Sequence, residues 1–199
     1  MDHQKATKKP TVSMILASGS PRRAELLAEL VEDFTVVVPM VQELESHPQG
    51  AVGLVLENAR IKCNAIVQSF PEHYVLSADT VVAVDNMVLG KPKDLDDAAE
   101  MLRMLSGRSH EVHTGLHLKN SAQNFHFSEV VTSKVTFKKI SPLDITNYFK
   151  VVDPLDKAGA YALQTKPELI IESFEGSRTN VIGLPLECLR KVIEQILIS

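Results

Sequence analysis

Asp79 is a carboxylate in the middle of an apolar run, between Val75-Leu76-Ser77-Ala78 and Val81-Val82-Ala83-Val84, with Thr80 beside it. Inside a buried strand such a group needs a hydrogen bond, a cation or a metal, because an unpaired buried charge is strongly destabilising. It is therefore either a structural Asp bonded to backbone groups or a carboxylate kept for chemistry. Ser18-Gly19-Ser20-Pro21-Arg22-Arg23 is a second candidate. Ser20 suits an N-cap with Pro21 at N1, but Arg23 stands at N3, where a capping box would place Glu. Two arginines at the positive end of a helix are an electrostatic penalty that an anion such as a polyphosphate would relieve. The plainer alternative is a pair of solvated surface arginines.

Lysines add to this set. Lys91, after Gly90 and before Pro92, follows a strand pair that carries Asp79, so the returning chain can bring it to the same side of the sheet. Lys62 falls at the edge of an apolar helical stripe, flanking Val55, Ala59 and Ile66, where it can reach a cleft or snorkel along the helix. Glu43 offers a second carboxylate on a loop, and Glu45 is an equal candidate from position alone. Cations of this kind neutralise phosphate charge, while carboxylates hold a hard divalent metal or a water molecule.

These residues need elements to position them. Met14 to Ser18 reads as a buried strand, followed by a helix with Leu26, Leu27 and Leu30 on one face, then a strand over Phe34 to Val38. From Val52 to Phe70 the apolar residues keep a helical period. Val75 to Val84 and Met87 to Leu89 form a hairpin around Asp85-Asn86. Asp94 caps a helix that buries Ala98, Met101, Leu102 and Leu105 and ends at Gly107. Residues 110–118 and 125–137 alternate as strands, and Ser141-Pro142-Leu143-Asp144 opens a further helix. Strands around 168–174 and 179–182 precede a last helix from Pro185. Hairpins mixed with helical crossovers predict an α/β fold with a sheet of mixed direction.

The 199 residues, 44% hydrophobic, suit one domain over residues 11–199, with MDHQKATKKP at 1–10 a disordered lead-in. A formal charge of −4 and 5% aromatic residues argue against a nucleic-acid binder, so any phosphate site is local. No apolar stretch is long enough for a membrane span, and Cys63 and Cys188 match neither a zinc spacing nor a disulfide framework, which points to a reducing, cytoplasmic setting. His110, His113 and His117 do not all share one face of an alternating strand and fit no metal-ligand spacing.

Taken in order, ILASGSPRR from Ile15, Glu43, Lys62, SADTVV from Ser77, LGKPKD from Leu89, LSGRSHEVHTGL from Leu105, DPLDKAGAYALQ from Asp153 and NVIGLPL from Asn180 resemble the Maf family over nearly the whole chain. The resemblance implies an elongated mixed β-sheet flanked by helices around a central nucleotide cleft, similar to the inosine triphosphatase (Ham) fold, often paired as a homodimer. It implies hydrolysis of a nucleoside triphosphate substrate between the α and β phosphates, with a divalent cation (Mg²⁺, Mn²⁺ or Co²⁺) as cofactor. Carried onto this sequence, Arg23, Lys62 and Lys91 become phosphate contacts beside Ser18, and Glu43 and Asp79 become metal-binding or water-activating carboxylates. Gln164 joins the base end.

Arg22, Thr80 and Gln164 match the branch that prefers dTTP and UTP, whereas the branch preferring 7-methylated GTP tends to carry Trp, Gln and Glu there. CTP and modified pyrimidine nucleotides are further candidates. The family name also carries a link to septum formation, so a nucleotide-binding regulator is the rival to an enzyme. Arg178, where relatives commonly carry an aromatic residue, departs from the family pattern.

Overall fold

The computed structural model describes residues 12–198; the lead-in of residues 1–10 lies outside them. The described residues run β1 (Met14–Leu16), α1 (Pro21–Leu30), β2 (Phe34–Val36), α2 (Gly50–Val67), β3 (Tyr74–Val84), β4 (Met87–Leu89), α3 (Leu95–Leu105), β5 (Ser109–Asn120), β6 (Phe125–Phe137), α4 (Pro142–Phe149), β7 (Ile171–Glu175), α5 (Arg178–Ile182) and α6 (Leu186–Ile198). Seven strands make one sheet in the order β2-β1-β3-β5-β6-β7, with β4 also paired to β3. β1 is parallel to β2 and β3, and the remaining pairs are antiparallel. This is the mixed α/β sheet that the alternation of elements predicts.

Local chemistry sets most boundaries. The β3–β4 turn uses Asp85 and Asn86 at φ 48° and 66°, the left-handed pair that a two-residue hairpin demands. Asp94 accepts the Asp97 N–H at the start of α3, and Ser141 and Asp144 form a reciprocal capping box on α4. Three expectations differ, the first being that Pro167–Leu169 form a short 3-10 turn, so that β7 begins at Ile171 and not near residue 168. Val52 turns outward at the start of α2 and is exposed. Residues 179–182 are helical, not a strand, although Thr, Val and Ile favour strands by type. Ser177 caps them by accepting the Asn180 N–H, and the buried Asn180 amide donates to the Val112 carbonyl and Ser133 Oγ. Those long-range bonds override the local preference.

β3 is the axis of the molecule. On one edge it pairs continuously with β5 from Val75 to Ala83. On the other, β1 covers Tyr74 to Leu76 and β4 covers Val82 to Val84, so no described strand pairs with residues 77–81 there. Both flanking strands are short for sequence reasons. β1 gives way to Ser18-Gly19-Ser20 with Pro21 opening α1, and β4 stops before Gly90-Lys91-Pro92, where Pro92 cannot donate to a ladder. A notch results, with the larger apolar clusters to either side of it. Leu16, Leu27, Leu76, Leu116, Leu118 and Leu189 pack on the β1 side. Val82, Leu102, Leu105, Phe137, Tyr148 and Ile170 pack on the β4 side.

Three histidines on β5 are buried as members of this packing. His110 bonds the Tyr161 hydroxyl at 2.8 Å, His113 bonds Thr132 and His117 bonds Ser128. Burial pushes His110 down to about 4, and burial followed by the neighbouring His126 and Lys119 charges pushes His117 to about 4, from an ordinary 6.5. Because the unfolded chain binds these protons more readily, their contribution is present above about pH 6.5 and is lost as pH falls towards 4. Each group gives a slope approaching about 1.4 kcal/mol per pH unit inside that window. His110→Gln, which can still bond Tyr161, is expected to flatten the fall in stability between pH 6.5 and 5 measured by urea melts. A slope equal to that of the unmodified protein would reject the assignment.

Candidate functional site

Asp79 and Thr80 lie at the centre of the notch and, as successive strand residues, project to opposite faces of the sheet. On the α2 face, Lys62 Nζ sits 2.7 Å from Asp79 Oδ1 and 2.6 Å from Glu43 Oε2. One ammonium therefore bridges two carboxylates that are 36 residues apart in sequence. Lys62 is only 6% exposed and Asp79 8%, so the lysine is a buried partner rather than a snorkelling edge residue. Asn58, one helical turn earlier, donates to Asp79 Oδ2 at 3.4 Å and binds both the N–H and the carbonyl of Leu44. Glu43 is thus the loop carboxylate that enters the site, in preference to Glu45.

On the opposite face, Arg23 reaches back from α1. It donates to the Gly183 carbonyl at 2.9 Å, to Ser18 Oγ at 3.2 Å and to Thr80 Oγ1 at 3.1 Å. Desolvation lowers its pKa from the ordinary value, while the Asp79 and Glu43 carboxylates oppose that shift. Thr114 continues the chain, bonding Thr80 at 2.9 Å and donating to the Asn180 carbonyl. Ser20 holds the N-cap position of α1 but makes no side-chain capping bond. Instead Ser18 Oγ accepts the Ser20 N–H.

All nine candidates, Ser18, Arg22, Arg23, Glu43, Lys62, Asp79, Thr80, Lys91 and Gln164, line one cleft of about 380 Å³. Lys91, two residues after the end of β4, is among these lining residues. Two further charged residues line the cleft, Asp156 and Lys157, which ion-pair with each other, and Asp156 also pairs with Arg22. Five cationic side chains and three carboxylates therefore face this space in a chain of formal charge −4. The local field favours an anion where the global one does not.

The family model for Maf-like proteins matches residues 13–196. The chain belongs to the Maf family. It is 38% identical over 187 residues to the dTTP/UTP pyrophosphatase of Clostridium beijerinckii, covering 93% of this chain and 100% of that protein. It is 42% identical over 173 residues to the dTTP/UTP pyrophosphatase of Myxococcus xanthus, covering 87% of each. In fold it is similar to a HAM1 protein from Coxiella burnetii, with a TM-score of 0.56 at 16% identity over 93% of this chain and 100% of that one.

Within this Maf chain, the donor set suits a hard divalent cation. Lys62 takes one oxygen from each carboxylate, leaving Glu43 Oε1 and the weakly bonded Asp79 Oδ2 for another partner. Two protein oxygens, completed by phosphate and water, match the way Mg²⁺ is commonly held beside phosphates. Among the described residues no group of three or more His, Cys, Asp or Glu side chains is placed to hold a metal by itself. Burial pushes the Cys63 thiol to about 12, far from a reactive thiolate. Arg178 lies outside the cleft lining, with one guanidinium nitrogen 3.5 Å from the Leu163 carbonyl.

Proposed function

We propose that this chain is a nucleoside triphosphate pyrophosphatase that converts dTTP and UTP to the monophosphate and pyrophosphate. The observation that carries the reading is the carboxylate pair on Lys62, set at the unpaired edge of β3 inside a cleft of net positive charge. A pure anion binder would gain by losing carboxylates that repel a triphosphate, so their retention favours chemistry. The names of the two relatives support the same reaction class.

In this scheme Lys62 fixes Asp79 through Oδ1 and leaves Oδ2 to accept the proton of the attacking water; as a cation ligand instead, Asp79 would orient that water. The water oxygen bonds to the α phosphorus as the bond to the α–β bridging oxygen breaks, and pyrophosphate leaves. Arg23 and Lys91 neutralise charge developing on that leaving group, and Ser18 with the free N–H groups of α1 binds phosphate oxygens. A divalent cation, Mg²⁺, Mn²⁺ or Co²⁺, shared by Glu43, Asp79 and the phosphates would supply further charge neutralisation. Arg22, Thr80 and Gln164 select the base. Gln164 offers a donor and an acceptor to a uracil-type edge, and Thr80 is short and uncharged.

On this reading the chain acts as one cytoplasmic domain in a homodimer, without a membrane or nucleic-acid partner. Its role is house-cleaning of ordinary or modified pyrimidine nucleotides, connected through the family with septum formation and division arrest. With Mg²⁺ or Mn²⁺, a nucleotide panel is expected to release pyrophosphate before any orthophosphate. The kcat/KM values for dTTP and UTP should exceed those for GTP and 7-methyl-GTP by about tenfold or more, with CTP between. Orthophosphate as first product would reject attack at the α phosphorus. A lead for 7-methyl-GTP would reject the base assignment alone.

A further inference from the structure

Asn58 is an expensive residue where it stands. It lies in the middle of an 18-residue helix, is 3% exposed, and has a side chain that neither favours helix nor tolerates burial unbonded. A leucine would suit the helix better. What the amide gains is three hydrogen bonds: Oδ1 accepts the Leu44 N–H at 2.8 Å, and Nδ2 donates to the Leu44 carbonyl at 3.0 Å and to Asp79 Oδ2 at 3.4 Å.

The pair on Leu44 is a two-sided grip on the backbone next to Glu43. Glu43 belongs to the segment 37–49, which joins β2 to α2 without regular secondary structure and is largely exposed. Its side chain is 47% exposed and meets Lys62 through a single oxygen. A long carboxylate on such a segment samples many rotamers, and holding it at one point costs conformational entropy. Asn58 lowers that cost by fixing the adjacent peptide groups to a rigid helix. Because Asn58 and Lys62 are four residues apart, they share one face of α2. One therefore holds the loop backbone and the other the two carboxylates.

We infer that Asn58 is a positioning residue that clamps the Glu43 loop onto Asp79 and sets the spacing of the two carboxylates. This rests on the pyrophosphatase reading above. The amide acts through Glu43 and Asp79 and does not itself react.

The test is a double-mutant cycle of Asn58→Leu with Glu43→Gln, read as kcat and KM for UTP by pyrophosphate release, with melting curves for every protein. In the unmodified background, Asn58→Leu is expected to lower kcat by about 10- to 100-fold, the usual scale for a group that orients a site ligand. KM should change much less, because the cationic side chains that hold the phosphates are untouched. In the Glu43→Gln background the further loss should shrink to within about threefold, since the clamp then has little left to position. Asn58→Ala, which removes the same three bonds in a smaller, helix-favouring side chain without adding charge, is the second variant if leucine prevents folding, and the same pattern is expected of it.

Unchanged kcat, or an equal loss in both backgrounds, would overturn the inference while leaving the enzyme assignment standing. Failure of both variants to fold would show a purely structural role and also overturn it. Absence of pyrophosphate release by the unmodified protein would remove the reading on which it rests, and the inference with it.

Discussion

Asp79→Asn is expected to lower turnover by about a hundredfold or more, the usual scale for a positioned acid–base group or metal ligand, while the melting temperature stays nearly unchanged. The substitution keeps the shape of the side chain and removes its charge. Lys62 then loses one ionic partner but retains Glu43 at 2.6 Å, so the buried ammonium is not left alone. The strand itself is held by nine aligned residue pairs to β5 from Val75 to Ala83, none of which depends on the carboxylate. What disappears is the charge on Oδ2, the one Asp79 oxygen that Lys62 leaves for a proton or a cation. The check is kcat for dTTP and UTP by pyrophosphate release, beside thermal melts of the same preparations. Near-normal turnover would exclude Asp79 from the chemistry, and a collapsed fold would make its role structural.

Elements whose boundaries are written in local chemistry were legible in the sequence. The Asp85-Asn86 hairpin, the Asp94 cap, the Ser141–Asp144 box and the apolar faces of α1 and α3 follow from residue type and period alone. Asp79 stands out because a carboxylate in the middle of an apolar run must be compensated. Its compensation was less visible. The α2 period places Lys62 at the rim of the apolar stripe, and only the approach of α2 to β3 shows that the rim is buried.

Other features depend on contacts between distant segments, which period and capping do not encode. The helix at 178–182 is held by Asn180 against β5 and β6, through Val112 and Ser133. Glu43 and Glu45 are equivalent on the loop until Asn58 fixes Leu44 and Lys62 selects Glu43. Asp156 and Lys157 were part of the family-like segment, but their place beside Arg22 appears only in the folded chain. The notch is the clearest case. Each short strand is readable by itself, yet the unpaired edge exists because β1 and β4 flank the same side of β3 and stop short of its middle.

Lys62→Met is expected to damage stability and turnover together, in contrast to Asp79→Asn. Methionine fills the channel beside α2 but withdraws the ammonium from two converging carboxylates. Glu43 is half-exposed and can relax into water, whereas the Asp79 side chain is only 11% exposed and is left with one 3.4 Å contact from Asn58. Breaking a buried pair by removing one partner costs about 3–5 kcal/mol, and the freedom of Glu43 places this case at the lower end, about 3 kcal/mol. For a chain of this length that corresponds to a fall of roughly 6–12 °C in melting temperature. Turnover should fall by about a hundredfold or more, because the carboxylates are no longer held apart and aimed into the cleft. The double variant Lys62→Met/Asp79→Asn separates the two effects. With the uncompensated carboxylate gone, most of the lost stability should return in urea melts, since the pair is coupled and the two changes are not additive. Activity should not return, because neither the proton acceptor nor the cation that orients it is present. A double variant no more stable than Lys62→Met would mean that the lysine stabilises the fold through its stem and not through Asp79, and the buried bridge would lose its place as the organising contact of the site.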